Sequence, residues 1–311
     1  MRPSRLLILA SCGLLVAIWG TTWAAIRVGL AGIPPMTGVA LRFGIAAAVL
    51  LVLAKSLGVR LGQQPRERWL WLANAVCTFS VPYAIVYWAE LWVPSGLAAV
   101  LFATFPLWVA LLAHFTLPAE RLNSLAALGI LLGFGGVAVI FSEDFAVLGG
   151  RWVAKVAAVY LIAPFFAAFG QVAVKRWGGG IHPLSVTAMP MAITAVVMGA
   201  LAAVCERGRP LVLDRSSVLA LLYLALCGSA VTFSVYFWLL SKVSATSLSL
   251  INYVLPVVAV TVGTLWMREP LTLRIVVGSL LVIAGVGLAM QAAGRQARRG
   301  DSGSESAPLV G

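Results

Sequence analysis

Apolar residues run along this chain in ten stretches, and polar residues gather between them. The stretches cover residues 6–26, 37–54, 69–90, 95–115, 123–141, 156–174, 184–204, 217–240, 245–266 and 273–293. About 20 mainly apolar residues suffice for a transmembrane helix. Strands of a membrane barrel would alternate apolar and polar over about 10 residues. These stretches do not alternate, so the pattern predicts an all-α polytopic membrane protein with ten transmembrane helices. The connections are mostly short and rich in Gly, Pro and charge, as in "GLAGIPP", "GVRLGQQPRER" and "KRWGGGIHP". Residues 294–311, "GRQARRGDSGSESAPLVG", are polar and Gly/Ser-rich, which predicts a disordered cytoplasmic tail.

The ten stretches form two matched sets of five. "PSGLAAVLFATFPLWVALLA" at 94–113 is echoed by "SATSLSLINYVLPVVAVTVG" at 244–263, with Pro106 and Pro256 at the same step. Cys77 and Trp88 match Cys227 and Trp238, Glu120 matches Glu269, and Gly129 and Gly136 match Gly278 and Gly285. Arg27 and Pro35 match Lys175 and Pro183, and every separation lies between 148 and 150 residues. Repeats are therefore expected over 1–142 and 152–293, with the tail at 294–311. Five spans is an odd number, so the two copies enter the membrane from opposite sides. Inverted repeats of this kind belong to secondary transporters, with a substrate site near the midplane between the halves.

Composition agrees. Hydrophobic residues make up 61% of the chain and charged residues 10%, against roughly 25% charged in soluble domains. The net charge is +12. Its basic residues lie in short clusters beside the spans, such as Lys55, Arg60, Arg66 and Arg68, as in loops flanking membrane helices. No nucleic-acid partner is expected. With the N-terminus in the cytoplasm, thirteen Lys and Arg fall on that side and nine on the other, which predicts cytoplasmic termini. Leu9-Ala10-Ser11-Cys12 has the look of a lipoprotein cleavage box, but the apolar run continues to Ile26 and reads as an uncleaved span. Cys12, Cys77, Cys205 and Cys227 show no CxxC spacing and read as packing residues. No metal or cofactor is expected. The two histidines, His114 and His182, with no HExxH or GxSxG motif, leave an enzyme without machinery.

In order along the chain, "IWGTTWAAIRVG", "ALRFGIAAAVL", "YWAELWVPSGLAAVLFATFPLWVALLA" and "AERLNSLAALGILLGFGGVAVI" resemble an EamA domain. All but the tail resembles a ten-helix, two-EamA-repeat member of the drug/metabolite transporter superfamily. The resemblance implies a carrier of the bacterial inner (cytoplasmic) membrane, often an exporter of amino acids or related metabolites. Organic cations or drugs, and sugar-phosphate-type metabolites, are the alternative substrates. A membrane-embedded transferase is the distant alternative. The expected partners are a small-molecule substrate and membrane lipid, around a monomer or, less simply, a homodimer.

Cavity candidates are aromatic and polar residues well inside the spans. They are Trp19 and Trp23; Tyr83, Tyr87 and Trp88; Phe102; Phe166; Tyr236 and Trp238; and Asn252 with Tyr253. Aromatic walls with few fixed charges suit amphipathic or zwitterionic solutes. A plainer reading stands beside each: lipid packing or an interfacial belt for the aromatics, an interhelical hydrogen bond for Asn252. Pro106 and Pro256 are expected to kink the fourth and ninth helices toward the central axis. Glu90 closes the third span and is the acidic candidate for coupling, or else an interfacial acid. Arg42, early in the second span, caps or pairs, with a carbonyl as one partner. Glu120 and Glu269 read as stabilisers of the next helix start. Gly129, Gly133 and Gly136, like Gly278 and Gly285, share a face suited to close helix packing.

Overall fold

The computed structural model describes residues 4–118, 122–142, 150–245, 248, 251 and 254–305, and the regular structure among them is helical. The first two spans are α1 (Arg5–Leu30) and α2 (Pro35–Ser56). Pro35 sits at the first helical position, where a missing N–H costs nothing. The third span is composite: α3 (Pro65–Asn74), a π-helical turn (Ala75–Ser80) and α4 (Val81–Ala89). The fourth breaks into α5 (Ser95–Phe102) and α6 (Phe105–Thr116). The fifth is α7 (Ser124–Phe141), whose first turn is capped by the Asn123 side chain accepting from the Ala126 N–H at 2.9 Å.

The second half follows the same plan. Its first two spans are α8 (Arg151–Tyr160) with α9 (Ile162–Trp177), and α10 (Pro183–Cys205). Next come α11 (Arg215–Ala225), a second π-helical turn (Leu226–Val231) and α12 (Thr232–Leu240). In the ninth span the described helix is α13 (Leu255–Leu265), and α14 (Leu273–Glu305) is the tenth. Among the described residues, eight spans are long and apolar enough to cross a membrane, with Leu255–Leu265 and Leu273–Ala289 as shorter apolar helices. Helical backbone continues through residues 294–305.

Contacts between the halves repeat with exchanged roles. α2 packs on α10, and α7 on α14. α6 packs on α9, as α13 packs on α1, and α11 packs on α1 as α3 and the first π turn pack on α9. The α7–α14 seam runs through glycine. A methyl group at Gly136 would lie 2.6 Å from the Gly278 carbonyl oxygen and 2.7 Å from the Val282 nitrogen. Large apolar side chains such as Leu6, Val52, Leu131, Val196 and Leu280 point outward, toward lipid.

Acids tie helix starts across the halves. Glu206 accepts from the Met36 and Thr37 N–H groups at 2.8 and 2.9 Å and from the Thr37 hydroxyl at 2.7 Å. Glu67 accepts from the Ser185 hydroxyl, beside the start of α10. Glu269 accepts from Ser95 and Gly96 N–H at 2.7 and 2.9 Å. It therefore caps α5, not the helix that follows it, because its turn folds back over the broken fourth span. Glu120 lies outside the described residues. Basic residues do the reverse job. Arg27 donates to the Glu90 and Val93 carbonyls at 2.6 and 3.0 Å, and its echo Lys175 donates to Leu240 and Val243 at 3.0 and 2.6 Å. Replacing Glu206 by alanine strands three donors and is expected to cost about 2 kcal/mol or more. A thermal-stability measurement in detergent checks this, with the exposed Arg207→Ala as the neutral control.

Candidate functional site

A cavity with about 790 Å³ of atom-free space, part of it open to solvent, lies where the broken and π-turned helices meet. α1 supplies Trp19, Thr22, Trp23 and Ile26; α2 supplies Arg42. The third span gives Thr78, Pro82, Tyr83 and Val86. Phe102 and Phe105 flank the break in the fourth span. The second half adds Ala167 and Gln171, then Phe233, Tyr236 and Phe237, and Leu255. Both halves thus contribute, and discontinuous helices at the join are the usual framework of a carrier site.

Five of the sequence candidates meet here: Trp19, Trp23, Tyr83, Phe102 and Tyr236. The Trp19 ring lies 5.2 Å from both Phe233 and Tyr236, and Trp23 lies 5.5 Å from Phe102. Four candidates do not line it. Tyr87 is buried behind the wall, where its hydroxyl takes an Arg42 N–H at 3.4 Å. Trp88 packs on Trp92 at 5.3 Å, Phe166 on Phe165 at 5.7 Å, and Trp238 is partly buried against the core. The reason is helical phase. Residues 82, 83 and 86, and residues 233, 236 and 237, share a face at spacings of three and four; positions 88 and 238 lie on another. Asn252 and Tyr253 fall outside the described residues.

Where kinks were expected, the prolines start new half-helices. α5 ends at Phe102, and Pro106 is in the first turn of α6; Pro256 is in the first turn of α13. Proline fits there because those N–H groups have no helical partner anyway.

Sequence reasoning missed Arg42, Gln171, Thr22, Thr78, Phe233 and Phe237. Arg42 is the largest miss. It is 1% exposed and lies seven residues into α2, roughly 10 Å along the axis. Its Nε donates to the Ser229 hydroxyl at 2.8 Å and its Nη2 to the Gly228 carbonyl at 3.1 Å. The guanidinium lies 4.8 Å from the Tyr83 ring centre and 5.4 Å from that of Phe43. The carbonyl expected as one of its partners is thus found, but deep in the bundle and not near an interface. A lone charge in an otherwise apolar span was the available signal, since such groups face inward. Gln171 carried the same signal in α9.

The two π turns explain the oxygens around Arg42. A π turn frees backbone groups and swings side chains out of α-helical phase. Here it sets Thr78 and Ser229 at the same step of the two turns. Ser229 accepts from Arg42, but the repeat partner of Arg42 is Pro190, and the Thr78 hydroxyl has no partner. Repeat symmetry therefore fails inside the cavity.

Glu90 follows the end of α4 and is 1% exposed, with both carboxylate oxygens lacking a hydrogen-bond partner. Arg27 binds its main-chain carbonyl, not its carboxylate.

An all-helical chain with two matched halves and a cavity at their join defines a membrane transporter built on an inverted repeat. The chain belongs to the EamA-like transporter family, whose pattern matches residues 7–142 and 154–291. It is similar to the uncharacterized transporter YoaV of Bacillus subtilis, 27% identical over 86% of this chain and 91% of that one. A probable terminal-alkyne amino-acid exporter of Streptantibioticus cattleyicolor is 32% identical over 88% of this chain and 90% of its own. The uncharacterized inner membrane transporter YedA of Escherichia coli K12 is 32% identical over 80% and 79%. A crystal structure 20% identical in sequence superposes with a TM-score of 0.69, over 94% of this chain and 99% of that one, and shares the fold. The protein is a multi-pass membrane transporter, not an enzyme.

Proposed function

We propose that this chain is a secondary carrier that exports small amphipathic metabolites, amino acids among them, by alternating access. The observation that carries this is the cavity itself: aromatic side chains from both halves meet at the helix breaks, around a wall whose described residues carry a single fixed charge. Such a wall holds an apolar body by area and ring contact and leaves one polar end to be recognised. The relative named as an amino-acid exporter supports the same substrate class. An organic-cation carrier would want an acid in the wall, and the described lining residues include none. A sugar phosphate would want more than one cation around its dianion. In this reading the chain works in the inner membrane of a bacterium with both termini in the cytoplasm, as a monomer or, alternatively, a homodimer.

Glu90 is the coupling group in this reading. Glu67 and Glu206 have hydroxyl and N–H donors, whereas Glu90 has none, so its charge is uncompensated by hydrogen bonds. Purified protein in liposomes is expected to catalyse counterflow of labelled amino acids from a panel spanning apolar and aromatic side chains. Uptake no greater than in empty vesicles for every solute would overturn the proposal.

A further inference from the structure

The polar groups of the cavity wall divide into those already used and those left over. Trp19 Nε1 donates to the Gly228 carbonyl at 3.3 Å, and the Thr22 hydroxyl to the Trp19 carbonyl at 2.7 Å. Gln171 donates to the Ala245 carbonyl at 2.9 Å and accepts from the Tyr236 hydroxyl. Four remain. Trp23 Nε1 and Thr78 Oγ1 are buried and unpartnered, and the Tyr83 hydroxyl makes no hydrogen bond to a described residue. Arg42 carries five N–H donors, of which bonds to Ser229, Gly228 and Tyr87 occupy three. All four leftover groups can donate. Arg42 is a buried cation whose described hydrogen-bond partners are all neutral; Glu90 is within electrostatic reach but makes no hydrogen bond with it, and a buried charge with no hydrogen-bonded counter-ion is costly.

We propose that Arg42, Trp23 and Thr78 form a carboxylate subsite, so that this carrier selects monocarboxylates with an apolar body and does not require an amino group. This rests on the reading that the cavity is the substrate site, and it narrows that reading. The carboxylate supplies the hydrogen-bonded anion that Arg42 lacks. The Trp23 N–H and Thr78 O–H supply flanking donors, and the solute's apolar body lies against Trp19, Phe102 and Phe233. One guanidinium matches one carboxylate charge, whereas a phosphate dianion would bring one charge too many into the apolar wall. Nothing described in the wall offers an acid to an ammonium group, so an amino acid is held by its acid end.

The test uses full-length protein in liposomes and a set of competitors that share a phenyl ring: 3-phenylpropanoate, phenylalanine, phenylalanine amide, phenethylamine and phenyl phosphate. Each competes for counterflow of labelled phenylalanine and of labelled 3-phenylpropanoate. The two carboxylates are expected to compete about tenfold better than the amide, the amine or the phosphate, as loss of a hydrogen-bonded charge implies. Arg42→Gln is expected to abolish that preference. Because Arg42 also ties α2 to the second π turn, Trp23→Phe and Thr78→Val serve as gentler variants that remove one donor and keep the shape. Each is expected to weaken the carboxylates about fivefold and leave the amine unchanged. Competition by the amine or the phosphate equal to that of the carboxylates would overturn the subsite while leaving the carrier reading intact. An unchanged carboxylate preference in both gentle variants would also overturn it. Counterflow of neither labelled solute, nor of any amino acid in the wider panel, would overturn the carrier reading and the subsite together.

Discussion

Gly285→Ala is expected to be among the most damaging single-methyl changes in this chain. A methyl group there would meet the Gly133 nitrogen, the Gly129 carbonyl oxygen and, at 2.6 Å, the Gly133 Cα. All three are main-chain atoms of α7, so no side chain can swing aside, and α7 and α14 must separate along their length. Overpacking of this kind costs typically 1–3 kcal/mol and more where nothing yields. For a chain of this size that corresponds to a fall in Tm of roughly 6 °C or more. Gly135, on the partner helix α7, is the control, because a methyl group there meets nothing within 4 Å. Thermal denaturation in detergent compares the two variants. Equal tolerance of both would mean that the seam does not run where the glycines put it.

Glu90→Gln should abolish proton-driven accumulation while leaving exchange intact. The substitution keeps the size of the side chain and removes its ability to take up and release a proton. Around the carboxyl lie Arg27 on α1, Arg42 on α2, Tyr87 on α4, Tyr160 on α8 and Glu269 beside the start of α5, all within electrostatic reach. None of them hydrogen bonds its oxygens, and the Tyr160 hydroxyl is itself unpartnered. A charged carboxylate enclosed without donors is costly, so this is the described carboxyl whose gain and loss of a proton would matter most as one end of the protein opens to water. Exchange of one proton for one solute across a gradient of one pH unit supports about tenfold accumulation, since each unit is worth about 1.36 kcal/mol. In proteoliposomes the native protein should approach that ratio for a solute that scores in counterflow. The variant should stop near equal concentrations while its counterflow stays within about twofold of native. Accumulation that survives in Glu90→Gln would remove this residue from the coupling step.

How much of this was legible in the sequence follows from what the bilayer constrains. Apolar length and the matched spacing of Pro106 with Pro256, and of Gly136 with Gly285's neighbourhood, give ten spans in two halves because lipid tolerates little else. The cavity was legible only in part. Trp88 and Trp238 attracted attention because they match between the repeats, yet matched positions mark the shared scaffold. The cavity is built from positions that differ: Arg42 against Pro190, and Gln171 against Trp23. Periodicity counted from the start of the third span also loses phase at Ala75–Ser80, because a π turn takes in one more residue than an α turn. Depth was misjudged for Arg42, since its place near the start of a span says nothing about how far a long side chain reaches inward.

The paired ties made by Arg27 and Lys175 bear on which way solute flows. At each end one cation holds two main-chain carbonyls of the turn after a composite helix. Because carbonyls are present whatever the side chain, drift at positions 90, 93, 240 and 243 leaves the ties standing. A difference of about 1.4 kcal/mol between breaking one tie and breaking the other would favour one facing state tenfold, so the balance of these two cations is where a preferred resting state would be set.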